Sequence, residues 1–157
     1  MRKPLNALQC HVGNVISYQG VLYKLLVSSE SHPILDTPEF GTHVIEWSDL
    51  EPVKITVKLL LQYGFTLTPD SVLNLYFKSI GWDEKKRYLI VFLHPNMTNV
   101  FIKDGAFLIK ESYSNLSCIF SSYFQGDLYL HTLQNIYTML TELELNPLDH
   151  EIPLPDH

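Results

Sequence analysis

Cysteine is scarce in this chain: Cys10 and Cys118 are the two in 157 residues. They lie far apart and in no metal or redox spacing, which excludes a disulfide framework and fits free thiols in a reducing compartment. Charge is thin as well, at 18% of residues, and it leans negative, since 11 Lys and Arg against 17 Asp and Glu leave a net charge of −6. That balance disfavours a nucleic-acid backbone or an anionic membrane as the main partner. Long apolar runs are missing. The longest, Tyr88 to Leu93, falls far short of the ~20 residues that span a bilayer, and Leu59 to Leu61 is shorter still. Polar Asn6, Gln9, His11 and Asn14 leave no apolar stretch behind Met1-Arg2-Lys3-Pro4 for an export signal, and Gln9 stands where a lipoprotein site before Cys10 needs a small residue. The expectation is a cytoplasmic protein with no membrane partner. The seven glycines are single and scattered from Gly13 to Gly126, so no phosphate cradle forms, and no Gly-x-Ser-x-Gly elbow is present.

What the chain does have is apolar surface. Hydrophobic residues make up 46% of it, enough to offset chain entropy in one domain or two small ones. Ile16 and Tyr18, then Val21, Tyr23, Leu25 and Val27, alternate at period two around Gln19-Gly20, which reads as a β-hairpin. Ser28 to Gly41 has prolines and small polar residues without periodicity and reads as a mobile loop. His43 to Trp47 reads as a strand. Thr56 can cap a short helix over about 57–63, with Gly64 as its left-handed end. Val72 to Ile80 and Arg87 to Leu93 flank a polar turn at Gly81 to Lys86. Val100 to Lys103 and Ala106 to Lys110 flank Asp104-Gly105, a two-residue hairpin signal. Cys118 to Phe124 reads as a further strand.

A longer helix is expected over about 128–141. On a helical wheel Tyr129, Leu133, Ile136, Tyr137, Leu140 and Leu143 share one side, the expected core face. His131, Gln134, Asn135, Thr138 and Glu142 share the other. From Asn146 onward, prolines, acids and histidines make a tail with too little apolar surface to order itself. The resulting fold class is α+β: a small SH3-like β-barrel over 1–55, packed on an antiparallel meander with one short and one long helix over 56–145, and a flexible tail over 146–157.

Three stretches carry a resemblance: Gly13-Asn14-Val15-Ile16-Ser17-Tyr18-Gln19-Gly20 through Tyr23; Glu51-Pro52-Val53-Lys54-Ile55-Thr56 with Leu59-Leu60 and Tyr63-Gly64-Phe65; and His131-Thr132-Leu133-Gln134-Asn135-Ile136-Tyr137 with Leu140-Thr141. Together they resemble short Bacteroidetes proteins of unassigned function and of prophage or mobile-element type. The likeness covers roughly half the chain and leaves out the middle meander. Where that group would carry acids after Thr56 this chain has Val57-Lys58, and where it would carry a glycine after Thr141 it has Glu142. The resemblance implies a bacterial protein of the accessory genome and no particular activity.

Chemistry-bearing residues are few. The seven histidines are scattered, without the convergent spacing of a metal site, so neither metal nor cofactor is expected. Asp127 and His131 stand four apart, where one helical face would let a carboxylate orient an imidazole for acid–base work; the structural reading is that Asp127 caps the helix and His131 makes a structural hydrogen bond. Lys85-Lys86-Arg87 near Trp82 and Tyr88 could hold a single-stranded backbone, but Asp83 and Glu84 largely cancel it. The functional expectation is a non-catalytic binding or interaction module, with His131, Gln134, Asn135 and Thr138 as its polar, nearly uncharged surface; that face is expected to meet the chain's own barrel first, and a protein partner, a second copy or an external ligand next. Two alternatives stay open: a small hydrolase or transferase using Asp127 and His131, and a nucleic-acid accessory protein.

Overall fold

A computed structural model describes residues 5–37, 45–68, 74–81, 86–95, 97–104, 116–123 and 127–148. The fold is α+β, with two antiparallel sheets and two helices. The chain forms two compact units, Met1–Lys54 with Tyr129–Glu144, and Ile55–Leu128 with Leu145–His157.

In the first unit, strands β1 (Val15–Tyr18), β2 (Val21–Val27), β3 (Ile34–Leu35) and β4 (Leu50–Glu51) lie in the order β3-β2-β1-β4 as a curled half-barrel. The expected hairpin is present: Tyr18 and Val21 are partners, and Gln19 and Gly20 have φ of 51° and 80°. Two positive φ values in a two-residue loop match the right-handed twist of the flanking strands. Leu5, Cys10, Ile16, Leu25, Leu35, Ile45, Trp47 and Leu50 form the core of this unit.

Two expectations for this region need correction. The stretch from Ser28 is not simply a loop. It contains β3, Leu35 is 4% exposed, and Asp36 N–H donates to the Lys24 carbonyl at 2.7 Å. Two apolar residues between polar neighbours are too few to show a period, yet they add an edge strand. Residues 38–44 lie outside the described residues. Trp47 is not in a strand but opens a 3₁₀ turn, Trp47–Asp49, where the Asp49 carboxylate accepts the Glu46 N–H at 3.1 Å; the indole Nε1–H donates to the Ser29 carbonyl at 2.9 Å. An indole that can satisfy its N–H only on the neighbouring segment is held out of the ladder.

The second unit holds α1 (Val57–Gln62), with Thr56 Oγ1 accepting the Leu59 N–H at 3.2 Å and Gly64 at φ 79°, as the sequence indicates. Gly64 has a second reason to be glycine. A Cβ there would come within 2.7 Å of Lys78 Nζ, whose ammonium donates to the Tyr63 carbonyl. Strands β5 (Thr66–Leu67), β6 (Leu75–Ser79), β7 (Arg87–His94), β8 (Met97–Asp104) and β9 (Leu116–Tyr123) form a five-stranded meander in sequence order. Leu89, Ile90 and Val91 are consecutive and all buried, which places both faces of the central strand out of water.

Here the Asp104-Gly105 signal misleads. Val100 to Lys103 has β7 on one side and β9 on the other, so it has no free edge for Ala106 to Lys110. The hairpin that does form joins His94 to Met97 around Pro95. Residues 105–115 lie outside the described residues, as do 82–85 of the expected polar turn and Phe124. The chain is still tied down inside the expected tail, since Leu148 N–H donates to the Gln62 carbonyl at 2.7 Å; residues 149–157 lie outside the described residues.

Helix α2 (Leu130–Thr141) groups with the half-barrel, whereas the sequence assigned it to the meander. The chain returns there because Tyr129 bridges Lys54 and Leu130 N–H donates to the Val53 carbonyl at 2.8 Å. The buried face also differs from the wheel. Leu130, His131, Leu133, Gln134 and Thr141 are buried, Ile136, Tyr137 and Leu140 are half-buried, and Leu143 is 48% exposed. The polar side turns inward because the half-barrel presents unpaired backbone groups to it.

Candidate functional site

Two of the residues singled out by sequence, Gln134 and Asn135, meet backbone where α2 meets the segment leading into β1. That segment is bent by an Asn14 turn, in which Oδ1 accepts the His11 N–H at 2.8 Å, and it is tied to β2 by Gly13 N–H to Leu25 carbonyl and Leu25 N–H to Asn14 carbonyl, each 2.8 Å. Gly13, at φ 91°, also leaves room for the Glu144 carboxylate, which would lie 2.9 Å from a Cβ. Glu144 in turn pairs with Lys24 at 2.7 Å, an exposed contact of modest worth.

Gln134 and Asn135 complete the arrangement. Gln134 Oε1 accepts the Val15 N–H at 2.9 Å, satisfying a donor at the start of β1, and Asn135 Nδ2 donates to the Gln9 carbonyl at 3.0 Å. Gln134 is 4% exposed. Buried amides that pair with main chain act as struts. Of the four residues expected to form that polar face, Gln134 and Asn135 bond to backbone of the first unit, His131 is buried, and Thr138 alone is exposed.

His131 is 5% exposed, its ring stacked on Tyr129 with centroids 5.9 Å apart and planes within 7°. Its Nδ1 is buried and has no hydrogen-bond partner among the described residues. Burial pushes the imidazole down to about 4, so the ring is neutral near pH 7. The expected cap and the expected catalytic spacing both depended on Asp127 lying in the first turn. The helix begins at Leu130, and its N-cap is Tyr129, which makes no side-chain cap. Without that turn, Asp127 and His131 are not brought to one helical face by helix geometry.

The buried thiol offers no nucleophile to complement this. Cys10 is fully buried, and burial pushes its thiol up to about 11, leaving little thiolate at neutral pH. Among the described residues, no group of three or more His, Cys, Asp or Glu is placed to hold a metal. Of the basic cluster, Arg87 pairs with Asp104, its partner across the ladder, while Trp82, Asp83, Glu84 and Lys85 lie outside the described residues. No helix among the described residues is long and apolar enough to cross a membrane.

The feature that sequence reasoning missed is apolar. Leu22, Leu26, Val27 and Ile34 of β2 and β3 are 49%, 46%, 41% and 52% exposed, and Val27 and Ile34 are cross-strand partners. The signal was present in Val-Leu-Tyr-Lys-Leu-Leu-Val, where both phases of the alternation are rich in apolar residues, although only one can face a core. Compared with known protein families, curated proteins and solved structures, the chain matches none.

Proposed function

We propose that this chain is a non-catalytic binding or interaction protein of a bacterial mobile element, working in the cytoplasm. The observation that carries this reading is the exposure of Leu22, Leu26, Val27 and Ile34 on β2 and β3 of the half-barrel, with Val27 and Ile34 paired across the ladder. A solvated strand pair would carry threonine, lysine or glutamate there, and clustered exposed apolar side chains mark contact surfaces. The resemblance to mobile-element proteins supports the setting. The internal engagement of Gln134 and Asn135 and the burial of His131 move the contact surface from the helix to the strands.

The test pairs wild type with the double variant Leu26→Lys and Ile34→Lys. Both positions are exposed, so thermal stability should change little, while a stoichiometric complex with a protein partner should form with wild type and fail with the variant. Turnover of ester, phosphate-ester or peptide substrates that disappears in His131→Gln would overturn the reading in favour of an enzyme.

A further inference from the structure

We propose that the first unit takes a basic amphipathic helix as its partner, laid with its apolar side on the outer face of β2 and β3; this rests on the reading of Leu22, Leu26, Val27 and Ile34 as a contact surface. The register defines that face. Partners across an antiparallel ladder share a face, and neighbours along a strand alternate. Ile16, Leu25 and Leu35 are buried and mark the core side. Val15 with Lys24, Ser17 with Leu22, Ser17 with Glu51, and Val27 with Ile34 therefore stand on the opposite side. Val27 reaches it through a bulge: β2 spends two steps from Leu25 to Val27 where β3 spends one from Leu35 to Ile34, so Leu26 is the extra residue and the strand changes parity there. The row from Leu22 to Val27 is about 16 Å long, roughly the rise of three helical turns.

Charge selects the occupant. Lys24 stands within the row, and the Glu144 carboxylate holds its ammonium at 2.7 Å. Asp36 is exposed beside it, its N–H donating to the Lys24 carbonyl at 2.7 Å, and Glu51 is exposed opposite Ser17. Three carboxylates thus border an apolar row whose one ammonium is already paired. Among the described residues of the first unit, Lys24 and Lys54 are the only Lys or Arg, against seven Asp and Glu. A nucleic acid or an anionic lipid would bring phosphate to these carboxylates. A second copy packed face to face would bring the same excess of carboxylate again. Both are repelled, whereas a cationic partner is drawn in and oriented by the same field. A helix with apolar residues at i, i+3, i+4 and i+7, flanked by Lys or Arg, meets the apolar row and the carboxylates together. One helix stripe against one sheet face is ordinary layer packing and needs no free backbone groups from the sheet.

The probes are two fluorescein-labelled peptides of about four helical turns, one of Leu and Lys and one of Leu and Glu, with leucines at the same helical spacing. In anisotropy titrations of the full chain at ~0.15 M salt, the Leu/Lys peptide should bind about tenfold more tightly than the Leu/Glu peptide, and the gap should close as salt is raised. Asp36→Lys with Glu51→Lys, at two exposed positions, should reverse the preference. Leu26→Gln with Ile34→Gln, which leaves the charge unchanged, should abolish binding of the Leu/Lys peptide. Wild type that binds both peptides equally, and loses both in the glutamine pair, keeps the contact surface and overturns the basic partner. Leu/Lys binding that survives the glutamine pair, or an unchanged preference in the lysine pair, places the peptide elsewhere and overturns the proposal. Binding of neither peptide overturns it too, while the contact surface still stands or falls on Leu26→Lys with Ile34→Lys. A mass that doubles with concentration in sedimentation equilibrium, and does so no longer in the glutamine pair, gives the face to a second copy and overturns the basic helix alone.

Discussion

A neutral imidazole held at 5% exposure makes stability depend on pH. His131 has its folded value depressed from 6.5 to about 4, so between those values the unfolded chain binds a proton that the folded chain refuses. Stability should therefore be full above about pH 6.5 and fall as the pH drops toward 4, by up to about 3 kcal/mol. Urea melts across that range should show this slope in wild type and a flatter one in His131→Gln; equal slopes would mean that the ring is not the group refusing the proton. Gln134→Ala should cost about 1–3 kcal/mol, because it strands the Val15 N–H in a half-buried place, whereas Asn135→Ala, at an exposed bond, should cost roughly 0.5–1.5 kcal/mol. Chemical denaturation separates the two. The residue types that mattered at this interface were legible in the sequence, which singles out His131, Gln134 and Asn135 as unlike an ordinary solvated face. That the face would meet the chain's own barrel was the first expectation, but the atom it meets was not legible, since a wheel drawn on hydrophobicity has no knowledge of the Val15 N–H that Gln134 accepts.

On the scale of the element, α2 ends where a short-range rule says it should not. Glu142 sits at φ 59° with its N–H donating to the Thr138 carbonyl at 2.8 Å, in the left-handed position that usually belongs to glycine. Glu142→Gly should raise the melting temperature, by relief of about 1 kcal/mol of backbone strain; a lowered melting temperature would contradict that account. Within the same helix, Leu133→Ala should cost about 2–5 kcal/mol, while just beyond its end Leu143→Ala, half exposed, should stay within about 0.5 kcal/mol. The Gln19-Gly20 hairpin and the Thr56 cap were legible because each is settled by a few adjacent residues. Strand β3 and the partner of β8 were not, because two residues carry no period and because Asp104-Gly105 promises a turn without saying which strands will occupy the edges of β8.

For the molecule as a whole, the net charge of −6 and the pairing of Arg87 with Asp104 leave little to attract a phosphate backbone. A fluorescence titration at ~0.15 M salt should show no sub-micromolar affinity for DNA or RNA, and tight, salt-sensitive binding would contradict it. The two units were not separable by reading along the chain, because each is assembled from two stretches: the chain leaves the first unit after Lys54 and returns at Tyr129. That interleaving sets a clock on the ribosome. Val15 N–H must wait for Gln134, 119 residues downstream, and at about 5–20 residues per second it spends roughly 6–24 seconds without that acceptor. During that interval the polar turn and the apolar strands of the half-barrel are open together, while Ile55–Leu128 is emerging. A nascent chain stalled before Tyr129 should therefore be cut readily by protease within residues 5–37, and one stalled well past Glu144 should resist, which makes the second crossing of the chain the event that closes the first unit.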